Sequence, residues 1–541
     1  MKFLKNLLII ILAATLSAGC KKLDLAPTDR FSDLTFWTTD ANVYSALYNN
    51  YSLMYNSSLF FYNESLSDNA YSSTGDYNLI ASGNATASTA KFQNDWAYYY
   101  STIKSCNLFL ANIDKNTTLS ADVKARLKAE TRFIRAFEQF NLTKWYGDVP
   151  LVDHDLTPDE AKEIARSPKQ TVVQFVVSEL DSVAGILPSQ DELPVNENGR
   201  ITKGAALALE ARVLLYQGDR MADVVTICEK LMNDQLTYGH YSLAANYSDL
   251  FSNPSVNKTN PESMLSLQYV PTVRTWSELW DFVPRSVGGR VSSMAPTQEL
   301  VDSYIMLNGK AINDPGSGYD ENNPYVNRDP RLTATVVYNG YKWVKPDGSI
   351  KTIYIKPGSD PDLSAPDEYN PASQSSSPTG YYWRKYFDPT ALANFVSGNN
   401  IHLIRYAEIL LDYAEAKNSL GQMDETVWNN TIKLLRQRAG FTDPGALNYP
   451  GNADMTNIIR TERRAEFAME SLRTDDIRRW KIAENVMNGY AHGARFGDPS
   501  VDNGYIRVQN RQFNAAKDYL WPIPSSEVSL DSKLTQNPGY N

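Results

Sequence analysis

Apolar residues along the chain fall repeatedly into the three-and-four spacing of helices that bury one face. Phe133, Ala136, Phe137 and Phe140 form one such stripe, which Gly147 and Pro150 end. Val173, Val176, Leu180, Val183 and Leu187 form another, closed by Pro188. Trp96, Tyr99, Tyr100 and Ile103 open a third, so Trp96 reads as core. A helical pair follows: Ala206, Leu209, Val213 and Tyr216, a turn at Gly218-Asp219, then Val224, Cys228 and Leu231. A second pair has the same shape, with Tyr406, Ile409, Leu410, Tyr413 and Ala414, a break at Gly421, and Trp428, Ile432 and Leu435. The pattern predicts a mainly α fold, a scaffold of helical pairs interrupted by long irregular inserts and a few short β-hairpins.

The two Ala-rich helix–turn–helix units resemble tetratricopeptide repeats. They recur at no fixed period, which predicts parts of one scaffold rather than a long solenoid. Between them periodicity fades. Residues Asn63 to Asp95 are rich in Ser, Asn, Ala, Thr and Tyr, and residues 239–296 show little pattern. Residues 313–400 are rich in Pro, Gly, Asp and Ser. Within that insert, Thr333 to Tyr338 and Tyr341 to Lys345 flank Asn339-Gly340, which predicts a hairpin, with Lys351 to Lys356 as a third short strand. Inserts this long in a compact domain are usually functional or disordered, and their aromatic content favours function.

The N-terminus changes the picture. Lys2 and Lys5 precede an unbroken apolar run, Leu7 to Leu12, and small residues Ser17, Ala18 and Gly19 lead into Cys20. The run is too short to span a bilayer and has the flanks of a secretory signal. Cysteine directly after Ala-Gly predicts a lipoprotein signal peptide over 1–19, lipidation of Cys20 and a lipid-bearing tether over 20–27. Ser17 stands where such sites usually carry Leu. The alternative is an ordinary secreted chain. No later segment is long and apolar enough to cross a membrane.

Composition narrows the partners. Lys and Arg total 52 against 62 Asp and Glu, a net charge of −10 that argues against a nucleic-acid partner. Cys106 and Cys228 lie on apolar stripes and read as buried small hydrophobes, with a disulfide between them left open. The four histidines show no ligand spacing, and HExxH, CxxC, GxSxG and phosphate-loop motifs are absent. A glycosidase needs only two carboxylates, so this does not exclude one. The densest charge cluster, Arg460 to Arg479, places Glu462, Glu466 and Glu470 among Arg463, Arg464, Arg473, Arg478 and Arg479. Such dense counter-cations predict permanently ionised groups tying helices together rather than a proton donor, with an anion-binding or partner-binding role as the alternative. The oxygen-rich loop Asp314 to Asn323 lacks the spacing of a calcium site and reads as a solvated turn, with Ca²⁺ as the alternative; no other cofactor is implied.

The chain carries 33 Tyr and 10 Trp. Tyr71, Tyr77, Trp276, Trp280 and Trp343 lie outside helical stripes, with Asn69, Asp76 and Arg274 as polar neighbours. A sugar ring has an apolar C–H face and a hydroxyl rim, so flat aromatics with nearby amide, carboxylate and guanidinium groups suit it. These eight residues are the candidate ligand-binding set. The competing reading for each aromatic is packing of its loop onto the scaffold.

Ordered motifs along nearly the whole chain resemble the SusD/RagB family of outer-membrane lipoproteins. They are Glu130-Thr-Arg132-Phe133-Ile-Arg135-Ala136, Tyr146-Gly-Asp-Val-Pro-Leu151, Gly199-Arg-Ile-Thr202, Arg328-Asp-Pro-Arg-Leu332 and Arg405-Tyr-Ala-Glu-Ile-Leu-Leu411 with Ala414-Glu-Ala416. Arg436-Gln-Arg-Ala-Gly440 follows, then Glu462-Arg-Arg464 through Arg478-Arg-Trp480. The ending, Tyr519-Leu-Trp-Pro-Ile-Pro524 with Gln536-Asn-Pro-Gly-Tyr540, is the most specific piece. Phe467 and Ser471 depart from the family's usual Leu and Gly. The resemblance implies a SusD-like helical region over 28–238 and a RagB/SusD region with ligand-facing inserts over 239–541. It also implies a non-enzymatic protein, lipid-anchored on the outside of the outer membrane, that captures oligosaccharides for a SusC-like TonB-dependent transporter. A peptide ligand or a scaffold-lid role are alternatives within the family, and a glycoside hydrolase is a third reading. The shared motifs carry no ligand-contacting residues, so they leave the aromatic candidates undecided.

Overall fold

The computed structural model describes residues 35–540 except 363, 374–375, 391–395 and 452. Cys20, with the predicted signal and tether, lies outside the described residues. Among the described residues the fold is mainly helical. Its long helices are α1 (Asp40–Leu53), α2 (Ala90–Asn112), α3 (Ala121–Tyr146), α4 (Lys169–Ala184), α5 (Lys203–Gln217), α6 (Met221–Asn233), α7 (Tyr406–Ser419), α8 (Ile432–Ala439), α9 (Met455–Phe467) and α10 (Leu472–Arg479). Each predicted stripe but the one from Trp428 to Leu435 lies on a single helix, and local chemistry sets the helix ends. Ser120 caps α3 by accepting from the Val123 N–H, and Gly147, at φ 76°, ends it. Thr202 caps α5, and Gly218, in the left-handed region, turns the chain into α6.

From α2 to α6 each helix packs on the next, and α7 then packs on α6 and on α9. The array is thus continuous in space although some 170 residues separate α6 from α7 in sequence. Strands β2 (Ser263–Leu267) and β8 (Ile401–Arg405) pair antiparallel, Ser263 opposite Arg405, and pin both ends of that excursion to the scaffold. β1 (Ala70–Ser72) pairs with β3 (Met294–Pro296), joining the first insert to the second. A large apolar core runs from the helices into the inserts.

Two local expectations shift. The hairpin joins β5 (Tyr341–Val344) to β6 (Ile350–Ile353), so its turn is Lys345-Pro346-Asp347-Gly348 rather than Asn339-Gly340. Asp329 caps and Pro330 starts a helical turn through Thr335, which removes the first half of the expected partner strand. Only Val336–Val337 (β4) remain extended, paired with Tyr382–Trp383 (β7). Asn339 instead accepts the Ile355 and Lys356 N–H groups through its side chain. The helix expected across Trp428 to Leu435 is also broken. Thr431, at φ −133° and ψ −91°, separates Glu425–Asn430 from α8. Cys106 and Cys228 are buried and unpaired.

The charged motifs converge. Buried Arg405 bridges Glu262, Glu466 and Glu470, at 3.0 Å to Glu466 and 2.7 Å to Glu470. Arg331 joins Asp329 at 2.7 Å, Glu462 at 2.7 Å and Glu466 at 3.1 Å. Arg436 reaches Glu462 and Arg438 reaches Glu262 and Glu466, while Arg463 pairs with Asp412 and Asp476. Arg478 differs, donating to the Asp518 and Tyr519 carbonyls. Burial alone would raise Glu466, but Arg438, Arg405 and Arg331 hold its carboxyl far below the usual range. The cluster is structural. The chain's ending staples onto α3: Trp521 stacks on Trp145 at 4.1 Å, and Asn537 donates to the Tyr146 and Trp521 carbonyls.

Candidate ligand-binding face

The ion network reaches out to fix the first insert. Arg464 and Arg473 clamp buried Asp68 at 3.0 and 2.8 Å. Arg464 also donates to the Asn69 side chain at 2.7 Å, and Asn69 donates to Glu64 at 2.7 Å. Asn69 is therefore a fully buried strut (0% exposed), not a ligand contact. It anchors β1, which presents Tyr71 on its outward side, and the helix Gly75–Ala81 behind it, which carries Asp76 and Tyr77.

The three tryptophans lie beneath this face. Trp276 is 3% exposed, Trp280 0% and Trp343 1%. The Trp276 ring packs on Phe61 at 4.9 Å, and its indole N–H donates to the Asn399 carbonyl at 2.8 Å. Trp280 and Trp343 meet edge-on at Phe387, at 5.8 and 4.7 Å, and the Arg384 guanidinium lies over Trp343 at 4.7 Å. Every ring face is covered by protein. Contrary to the expectation from sequence, these tryptophans line no wet site: their indoles fill the large core that the inserts share with the scaffold. Arg274 stands apart, over the Tyr269 ring at 5.0 Å and bonded to the Gln268 carbonyl.

Tyr71, Asp76 and Tyr77 are each partly exposed, and Tyr77 is joined by a residue that periodicity did not single out. Tyr62, the last residue of the short helix Ser57–Tyr62, sets its ring 5.4 Å from Tyr77 at 35°. Both rings are half-buried. Tyr62 rests edge-on against Phe282, and its hydroxyl bonds Ser293 at 2.8 Å. Below Tyr77, buried Lys91 sits 4.4 Å from the ring centroid and pairs with Asp95 at 2.9 Å. Burial opposes the Lys91 charge, but Asp95 and Tyr77 outweigh it and raise its pKa, so the ammonium stays charged and polarises the ring. Asp76 accepts the Lys91 backbone N–H at 2.8 Å, and Tyr71 accepts from Asn78. Burial lifts the Tyr62 phenol to about 12, which leaves it a hydrogen-bond donor at neutral pH. Arg290, exposed at the rim, holds Asp281 through two bonds of 3.0 and 3.1 Å.

The arrangement is a pair of tilted aromatic rings with hydroxyl, amide, carboxylate and guanidinium groups around them, on a rigid aromatic base. Such a face suits a ligand that is apolar on one side and hydroxylated at its edge. The oxygens of the Asp314–Asn323 loop are spent on its own turns: Asp314 accepts from Ala311, and Asp320 from Asn322 and Asn323. Among the described residues no group of three or more His, Cys, Asp or Glu side chains is placed to hold a metal.

A model of the SusD family matches residues 241–540, and a second, described as starch-binding and associating with the outer membrane, matches residues 23–215. The chain belongs to the SusD family. A SusD-like carbohydrate-binding protein from Bacteroides fragilis superposes with a TM-score of 0.81 at 31% identity, covering 93% of this chain and 100% of that one. A SusD-like protein of Bacteroides ovatus is 25% identical over 584 aligned residues, 100% of this chain and 98% of its own length. A laminarin-binding SusD-like protein shares the fold, with a TM-score of 0.69 at 22% identity over 93% of this chain and 100% of that one.

Proposed function

We propose that this protein is a non-catalytic glycan-binding lipoprotein. It captures oligosaccharides at the outer membrane and passes them to a SusC-like TonB-dependent transporter. The observation that carries the reading is the partly exposed Tyr62–Tyr77 pair, with hydrogen-bonding groups nearby, on a family member whose relatives are named for carbohydrate and laminarin binding. Tyr71, Asp76, Asn78 and Arg290 supply the polar rim. Each ring contributes stacking area against a sugar, and the rim hydroxyls and amides select its orientation. Release to a transporter asks for moderate affinity, which two partly exposed rings deliver more naturally than an enclosed pocket. The lipid on Cys20 would hold the body at the membrane. Affinity electrophoresis across a panel of polysaccharides tests the proposal. Retardation on at least one glycan is expected; migration unchanged on all of them would overturn it.

A further inference from the structure

A cleft of about 220 Å³ opens between the loop leading into α5 and the segment that carries β2. The Gly199 backbone forms one wall. A Cβ there would lie 2.3 Å from the Gln268 side chain, and φ is +91°, so glycine is what lets the two walls approach. Met264 and Leu265 give it an apolar part, and among the described residues no aromatic side chain lines the cleft. The walls carry amides and hydroxyls, and many are already oriented: Gln268 is held between Asn400 at 2.9 Å and Ser266 at 2.9 Å.

The charge of this cleft runs against that of the chain. Among the described residues two cations, Arg200 and Lys258, line it and no carboxylate does, although the protein carries a net charge of −10. Arg200 is satisfied by Glu130 at 2.8 Å and Glu197 at 2.6 Å behind the wall. Lys258 has no carboxylate within salt-bridge distance among the described residues. Its ammonium donates to the Tyr269 carbonyl and, at 2.6 Å, to Asn400 Oδ1. The acidic group that acts on it, Asp388, is occupied by Thr390 and Ser397. We propose that this cleft is a second binding site, built for one anionic sugar ring of the uronate kind. Lys258 takes the carboxylate and the oriented amides and hydroxyls of the walls take the ring hydroxyls. The volume accommodates about one ring rather than the 300–1,000 Å³ of larger ligands. The choice of a sugar rests on the glycan-binding reading, whereas the preference for an anion rests on Lys258 alone.

Burial lowers Lys258 to about 8, because its charge is only partly compensated. His402 nearby is buried and held neutral, pushed down to about 4, so Lys258 is the group that titrates near pH 8. An anionic ligand binds the ammonium form, so affinity falls as pH rises through that range.

Calorimetry of the full-length protein with galacturonate, its methyl ester and galactose tests the proposal. Galacturonate is expected to bind at least tenfold more tightly than the ester or galactose at pH 7, and to weaken between pH 7 and 9. Lys258→Met is expected to lose at least tenfold, and Lys258→Arg to retain binding without the pH dependence. Equal binding of acid and ester, wild-type affinity in Lys258→Met, or no galacturonate binding to the wild type would each overturn it. The wild-type acid-versus-ester comparison stands even if a variant fails to fold. Polysaccharide retardation without galacturonate binding would sink this site and spare the aromatic face; the reverse would do the opposite.

Discussion

Glu415, on α7, accepts from Arg479 at 2.5 Å and from the Trp480 indole at 2.8 Å. Burial alone would raise its pKa, but Arg479, with Arg463 and Trp480, outweighs burial and brings it down to about 2 from an ordinary 4.5. A depressed carboxylate contributes stability that is present above its unfolded value and lost as pH falls through the folded one. Urea denaturation is therefore expected to lose about 3 kcal/mol through this group between roughly pH 5 and 2, and Glu415→Gln to flatten that part of the profile. Ser471 shows another constraint. It stands where the family usually has Gly and adopts φ 61°, a region that favours glycine. Its N–H bonds Glu64 at 2.8 Å and its hydroxyl bonds the Phe60 carbonyl, which offsets the conformational cost. Ser471→Gly is expected to change unfolding free energy by less than about 1 kcal/mol, and Ser471→Val to destabilise by about 2 kcal/mol or more, measured by chemical denaturation. At this scale the charge cluster was legible, since carboxylates and arginines so dense must neutralise one another. The tryptophans were not. Trp276, Trp280 and Trp343 sit among polar neighbours, and only the partners supplied by Phe61 and Phe387, remote in sequence, decide that they are buried.

At the scale of elements, helices were readable because a 3.6-residue stripe and a glycine stop are local properties. Gly147 illustrates the stop: at φ 76° and ψ −118° it adopts a backbone closed to other residues, and a Cβ would meet Leu520 at 2.9 Å. Gly147→Ala is expected to cost about 1–3 kcal/mol, with the loss read in the thermal midpoint. The hairpin was half legible. Both Asn339-Gly340 and Pro346-Asp347-Gly348 are turn sequences, and the choice between them depends on the Asp329-capped turn that withdraws residues 330–335 from strand pairing. The break at Thr431 carried no glycine or proline to announce it.

At the scale of the molecule, helices distant in sequence form one array because β2 and β8 close the intervening excursion at its base. The inserts converge on one side, where β1–β3 pairing and the ion network hold Tyr62, Tyr71 and Tyr77 in place. The family was legible from ordered motifs, yet those motifs form the interior network and the staple onto α3, so they could not mark the proposed binding face. That face emerged only once folding set Tyr62 beside Tyr77. If Cys20 carries the anchor, Cys20→Ala is expected to move the protein from the membrane to the soluble fraction and to abolish incorporation of labelled palmitate. The most direct test of the account is calorimetric titration of the double variant Tyr62→Ala/Tyr77→Ala with an oligosaccharide of whichever glycan retards the wild type. The expected result is a loss of at least a hundredfold in affinity, about 2.7 kcal/mol, with the melting temperature little changed. Wild-type affinity in the folded double variant would contradict it.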